Sequence, residues 1–483
     1  MELVPGIMHT PIDTPIPQGF TCLYNGQQLP PVAFYSIKRS AYLYFLLFRS
    51  LPSSPMPGEG KNKLVYNFFS LGIVQAITSL LQLIVIPYVI SKVGVDGFGI
   101  IAVAQVVMFY LSAVTEYGFS QTATREISIQ RDDRLLISKI FFRVIFSKLI
   151  LCAVSFVLLL ILFVFVPVFR LHNLIYLAGF MFVIGQSVLI NWFFTGIEKM
   201  QLMAVTTLIA RVIFVALVFL FIKSKNDGVL YLFFLGAGNF IIGLFSIFLM
   251  VKRFSLLFYM PTIKDIADEL RKGWQITATN LSNNICQYSN IFILRFFTND
   301  LVTGYYSIAE RIFLTLRQML AVFSQSVYPQ VCLLTGKGRN AIVSYFKKNY
   351  VPFLGMLSVG CVFLFILAPW ILYFFIGHEN GQSVLLLRIF SVVLVIACLN
   401  IPATLILLAT DQRKSYFKVY TTGVVFNVLL NMVLAYYWQA TGTAIAISIT
   451  ELFILTGLSR EVLKLNAFKK QDIAHPAETI KTE

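Results

Sequence analysis

Between Gly273 and Leu334, two adjacent apolar stretches carry polar and charged side chains in helical register. Asn280, Asn284 and Gln287 follow one another at spacings of four and three, and Arg311, Thr315, Gln318 and Gln325 at four, three and seven. Each set therefore occupies one face of a helix. Amides offer a donor and an acceptor to a polar ligand, and Arg presents a fork of donors that matches a phosphate or carboxylate. Such groups cost several kcal/mol each in hydrocarbon unless they are partnered or face water. The two stripes thus predict a wet pathway. Glu310 and Arg311 are chain neighbours, and neighbours on a helix project about 100° apart, which weakens a reading as a mutual structural pair.

Depth within the apolar runs selects further residues. At 1.5 Å per helical residue, Arg211, Glu310, Arg311 and Glu451 each lie roughly 12 to 15 Å into a run, near the middle of a hydrocarbon layer of about 30 Å. A charge there costs about 2.5 to 3.5 kcal/mol and is expected to face a cavity or a partner. Arg317 lies one turn and a half beyond Arg311, and Gln75, Thr78 and Gln82 form a milder stripe. Lys148, Glu116, Arg295 and Arg388 lie near the ends of runs, where long side chains reach the headgroups. Asn427 and Asn431, at i and i+4, are expected to hydrogen bond between helices rather than to bind a ligand. All four histidines lie outside the runs, which leaves Glu310 and Glu451 as the candidates for coupling to a proton or sodium ion. No Walker motif, HExxH or metal cluster is present in the sequence, and no cofactor is expected.

The elements that must position these residues are transmembrane helices. Hydrophobic residues make up 58% of the chain and charged ones 12%, against about 25% charged in soluble domains. With a mean hydropathy of +0.80, this is a polytopic all-α membrane protein. The net charge of +16 does not indicate nucleic acid, because the basic residues sit in short breaks between apolar runs. Five of six cysteines fall inside runs without metal-ligand spacing and read as small apolar residues.

Residues 1–57 hold nine of the 17 prolines and no long apolar run, which suggests a disordered leader or a start codon placed too early, with Met56 as the initiator. Twelve spans follow, near 64–91, 98–119, 143–166, 174–195, 202–223, 228–251, 273–298, 302–334, 350–376, 384–409, 415–438 and 441–463. Alternate connections hold 21 Lys and Arg against four, which predicts both termini on the cytoplasmic side. Val95–Ala102 (VDGFGIIA) and Val302–Ala309 (VTGYYSIA) share four of eight residues at a constant offset of 207. Each follows the first span of a six-span half. Two parallel lobes are therefore expected: 61–251 and 273–465, with 252–272 as a linker and 466–483 as a tail.

Several blocks resemble the Wzx-type polysaccharide flippases of the multidrug, oligosaccharidyl-lipid and polysaccharide (MOP) exporter superfamily. These are Asn67-Phe-Phe-Ser-Leu with Pro87 to Phe98, Glu116-Tyr-Gly-Phe followed by Ala123-Thr-Arg-Glu-Ile, and above all Asn191-Trp-Phe-Phe-Thr-Gly-Ile-Glu-Lys-Met200. Gly304 to Ala309, Asp411-Gln-Arg-Lys and Gly442-Thr-Ala-Ile-Ala extend the likeness over about 61–465. Thr195 departs from it, where Gln is expected. The resemblance implies two six-span lobes around an alternating-access cavity, and movement of an undecaprenyl-diphosphate-linked oligosaccharide to the outer leaflet of the bacterial inner membrane. It also implies possible neighbours in a polysaccharide polymerase and a chain-length regulator. Combined with the residues, it assigns Arg211, Arg311 and Arg317 to the diphosphate, and Asn280, Asn284, Gln287, Gln318 and Gln75 to sugars. A drug or cation antiporter of the same superfamily, or a membrane polysaccharide polymerase, are the rival readings. The first would favour an acidic lumen and the second charged external loops.

Overall fold

The computed structural model describes residues 61–130, 133–335 and 338–465. The leader at 1–57 and the tail at 466–483 lie outside these, as do the side chains of Gln75 and Gln287. The chain divides into Met1–Lys63 and Leu64–Glu483, and the helices below belong essentially to the second unit.

The described residues are helical almost throughout. In chain order they form α1 (Lys61–Glu116), α2 (Phe119–Ile129), α3 (Arg134–Phe165), α4 (Pro167–Leu171), α5 (Asn173–Val188), α6 (Asn191–Gly196), α7 (Met200–Phe221), α8 (Gly228–Phe254), α9 (Ile263–Phe297), α10 (Asp300–Thr335), α11 (Arg339–Ile376), α12 (Gly381–Ala409) and α13 (Arg413–Lys464). Local chemistry sets several starts. Asp133 accepts from the Leu135 and Leu136 amides at the head of α3, Asn380 caps α12, and Thr262 with Asp265 forms a reciprocal capping box on α9. Hydrogen bonds from the Thr262 amide, the Tyr259 hydroxyl and the Thr262 hydroxyl hold the Asp265 carboxyl down to about 2, so that cap persists at any physiological pH.

Helix covers each of the twelve stretches expected from hydropathy, with three departures in continuity. The first two runs are joined in α1, which breaks at Gly94 (φ 85°, ψ 166°), a conformation that glycine adopts without steric cost. The last two are joined in α13 around Gln439. The fourth is divided between α5 and α6 by Leu189 and Ile190. Among the described residues, eight helices are long and apolar enough to cross a membrane, and α9 and α10 are not in that set. These are the two that carry the polar stripes.

Helices α5 and α8 pack at glycine contacts: a Cβ on Gly185 would lie 2.4 Å from the Gly236 carbonyl oxygen. Such close backbone approach is typical of packing in lipid. The two copies of the internal repeat meet in the same way. A Cβ on Gly304 would stand 2.1 Å from the carbonyl oxygen of Val95, and one on Gly99 would stand 2.1 Å from that of Asp300. The repeated sequence therefore supplies a backbone-to-backbone seam between α1 and α10. Gly304→Ala should cost about 1 to 3 kcal/mol by overpacking this seam, seen as a lower unfolding temperature in detergent. Gly360→Ala, at a helical position with nothing within 4 Å, should leave it unchanged or raise it.

Candidate functional site

A cavity of about 740 Å³ lies among α1, α5, α7, α8, α9, α10 and α13. Arg211, Arg311, Arg317, Gln318, Glu310 and Glu451 all line it. So do Thr78 and Gln82 of the first stripe and Thr315 of the α10 stripe, whereas Gln325 lies beyond it.

Its charges are arranged unequally. The Arg317 guanidinium meets Glu451 at 2.7 Å, 134 positions away, and Asn400 donates to the other Glu451 oxygen at 2.8 Å. Glu310, 5% exposed, accepts from the Tyr306 hydroxyl at 3.1 Å on its own helix. Arg311 instead donates to Gln105 on α1. Glu310 and Arg311 thus turn to different partners. Among the described residues neither Arg211 nor Arg311 makes an ion pair, and Nη1 of Arg211 is buried without a hydrogen-bond partner in the protein. The lumen therefore presents Arg211 and Arg311 outside any direct ion pair, with the Glu310 carboxylate lining the same space, beside one neutralised Arg–Glu pair; arginines outnumber carboxylates by three to two. A multiply charged anion suits such a lining.

Asn280 and Asn284 line a second cavity, of about 420 Å³, with Glu116, Asn191 and Trp192. Phe109 and Tyr288 line both cavities, their ring centroids 4.7 Å apart. Asn280 and Asn284 of the α9 stripe thus border a different space from Arg311, Thr315 and Gln318 of the α10 stripe. Asn431 hydrogen bonds to Asn290 of α9 at 3.0 Å, and Asn427 to Thr450 at 3.0 Å across the Gln439 break within α13, although Asn427 also borders the larger cavity.

Lys148 corrects the sequence reading. Its ammonium does not reach a headgroup layer; it is fully buried and donates to Glu116 at 3.1 Å and to the carbonyls of Gln186 and Leu189, each at 3.2 Å. Those carbonyls flank the break between α5 and α6, where the helical ladder leaves acceptors free. The neighbouring α6 is seated by α2: Thr124 donates to the Trp192 carbonyl at 3.0 Å and Ser128 to that of Gly196 at 3.3 Å. Arg295 conforms better to a helix-end role, bonding Asp300 at 2.6 Å.

At the N-terminal end of α9, Arg143 of α3 contacts Glu126 of α2 at 2.5 Å and Glu269 at 2.7 Å, and Lys272 reaches Glu126 at 2.7 Å. Both Glu269 oxygens are nevertheless buried without hydrogen-bond geometry. Burial accordingly pushes that carboxyl above its ordinary value despite the adjacent cations. Gln105 and Asn400, each a lone amide in an apolar run, were not singled out by spacing; their only signal was isolated polarity.

The chain matches the model of the "Polysaccharide biosynthesis protein" family over residues 64–332. It belongs to that family. It is 27% identical over 401 residues to a protein of Shigella dysenteriae named as an O-antigen transporter, with 82% of this chain and 99% of that protein covered. A counterpart with the same name in Escherichia coli K12 is 25% identical over 393 residues, covering 80% and 94%. Two solved transporters share its fold. The lipid II flippase MurJ, in an inward closed conformation, superimposes with a TM-score of 0.63 at 17% identity, over 83% of this chain and 89% of that one. An inward-facing multidrug resistance MATE family transporter of the MOP superfamily gives 0.65 at 15%, over 83% and 100%.

Lys148→Met should destabilise the protein by about 3 kcal/mol, the low end for breaking a buried pair because Glu116 is 38% exposed. Detergent unfolding would read this as a lower midpoint. Adding Glu116→Gln should recover part of the loss, and a midpoint equal to wild type in the single variant would contradict the carbonyl-bridging role.

Proposed function

We propose that this chain is a flippase for a polyprenyl-diphosphate-linked oligosaccharide, an O-antigen or related surface-polysaccharide precursor, which it carries from the cytoplasmic to the outer leaflet of a bacterial inner membrane. The carrying observation is a large cavity whose arginines outnumber its carboxylates by three to two, with Arg211 and Arg311 outside any direct ion pair among the described residues. A diphosphate brings the negative charge they lack, sugars bring hydroxyls for the amide stripes, and the prenyl chain can remain in lipid. Family membership and the transporter names of the relatives support the same reading.

Within it, residues 61–251 and 273–465 act as two lobes that open alternately to either side. Arg311 and Arg211 attract the diphosphate, and Arg317 joins them when Glu451 releases it. Glu451 and Glu310 are the coupling carboxylates, for a proton or sodium ion. The excess of Lys and Arg in one set of loops supports cytoplasmic termini. A polymerase and a chain-length regulator would take the product at the outer face.

An organic-cation antiporter is disfavoured by the same charges. A cation about 6 Å from a guanidinium is repelled by about 3 kcal/mol at an effective dielectric of about 20, and the cavity's three arginines exceed its two carboxylates by one such charge.

In a strain lacking its own transporter, Arg211→Gln, Arg311→Gln and Arg317→Gln should each lower surface polysaccharide at least tenfold at equal protein level. Normal export by all three would overturn the assignment. Glu451→Gln should abolish the dependence of transport on an imposed proton or sodium gradient in reconstituted vesicles; retained dependence would exclude Glu451 as the coupling group.

A further inference from the structure

The second cavity has no part in holding a diphosphate, since no arginine lines it. Its volume of about 420 Å³ lies within the roughly 300 to 1,000 Å³ of small-molecule sites. Three amides border it, from Asn191, Asn280 and Asn284, together with the Glu116 carboxylate. Glu116 is fixed through one oxygen by the buried Lys148, which also neutralises it. The site therefore offers several neutral or compensated donors and acceptors, without a net charge to select an ion.

A second observation points to a ligand. Trp192 also lines this cavity, is 2% exposed, and its indole N–H has no acceptor in the protein. A buried unpaired donor costs about 1 to 3 kcal/mol, and a turn of the ring that brought its N–H to a ligand oxygen in the cavity would relieve that cost. Aromatic rings also border the same space at Phe109 and Tyr288, and such rings suit the C–H surface of a sugar while amides and carboxylate meet its hydroxyls.

From these we infer that the second cavity is a pyranose subsite, separate from the arginine-lined one, with Trp192, Asn284 and Glu116 as its recognition groups. The inference rests on the proposed flippase function and goes further by dividing the substrate between two spaces. The diphosphate lies in the larger cavity. The sugar next to it passes the Phe109–Tyr288 pair, which borders both cavities, and lies against Trp192. Asn280 and Asn191 supply further amides for its hydroxyls. The break between α5 and α6 has a purpose in this arrangement: it brings Asn191 and Trp192 to the cavity, with Lys148 satisfying the carbonyls that the break exposes.

The test measures binding to the purified full chain in nanodiscs. The probes are farnesyl diphosphate and farnesyl-diphosphate-linked glucose, galactose and N-acetylglucosamine. For wild type, at least one sugar-bearing probe should bind fivefold or more tightly than farnesyl diphosphate itself. Trp192→Phe combined with Asn284→Leu should bring that ratio to about one while farnesyl diphosphate binds within twofold of wild type, which also shows that the variant is folded. A ratio near one for every sugar in wild type, an unchanged ratio in the variant, or an equal loss of all probes in the variant would each overturn the subsite. Wild type that binds none of the four probes would instead overturn the flippase reading on which it rests.

Discussion

A guanidinium in hydrocarbon must find a carboxylate, a ring of acceptors, or water, and most of this architecture follows from that demand. Arg317 answers it with Glu451, and Arg311 with Gln105. Arg211 retains a buried Nη1 without a protein partner. The helices that carry these residues can pack only where a polar lumen lies between them. The cavity is thus a consequence of the charges as much as their container, and the same charges make it receptive to an anion.

Stability and function draw on that economy at different places. Where charge is fully matched, as in Lys148 with Glu116 and two backbone carbonyls, it ties broken helices together. Where it is left unmatched, beside the 740 Å³ cavity, it is available to a ligand. Around these polar regions the framework is held by close backbone contact. The two repeat segments touch at Gly99 and Gly304, and α5 touches α8 at Gly185 and Gly236, with no side chain between them. Gathering the cationic Arg143 and Lys272 with Glu126 and Glu269 joins α9 to α2 and α3 at the end of α9 away from that repeat seam.

Much of this was legible in the sequence, because an ionised or amide side chain in an apolar run is costly enough to be conspicuous. Arg211, Arg311, Arg317 and Glu451, spread over 240 positions, do converge on one lumen. Helical spacing correctly grouped Arg311, Thr315 and Gln318. Pairing was not legible: nothing in the spacing joins Arg317 to Glu451, or gives Arg311 to Gln105 rather than to Glu310. Spacing also placed Asn280 and Asn284 in the same pathway as the arginines, whereas an aromatic pair, Phe109 with Tyr288, stands where the two spaces meet. Aromatic residues are so common in an apolar chain that this pair carried no signal. Lys148 was misread for a related reason. Its distance from the span end suggested a headgroup, but the acceptors it satisfies arise from a break in another helix that hydropathy does not reveal.

The central claim is that the cationic lumen carries a diphosphate-linked sugar lipid across the bilayer. The most direct measurement is leaflet exchange of a fluorescent polyprenyl-diphosphate-linked saccharide in vesicles containing the purified protein, read by the fraction accessible to an impermeant quencher. Wild type should make the inner-leaflet pool accessible at least tenfold faster than protein-free vesicles, and the triple variant Arg211→Gln, Arg311→Gln and Arg317→Gln should fall back to the protein-free rate. Equal exchange by wild type and the triple variant, or no exchange above protein-free vesicles by wild type, would contradict it.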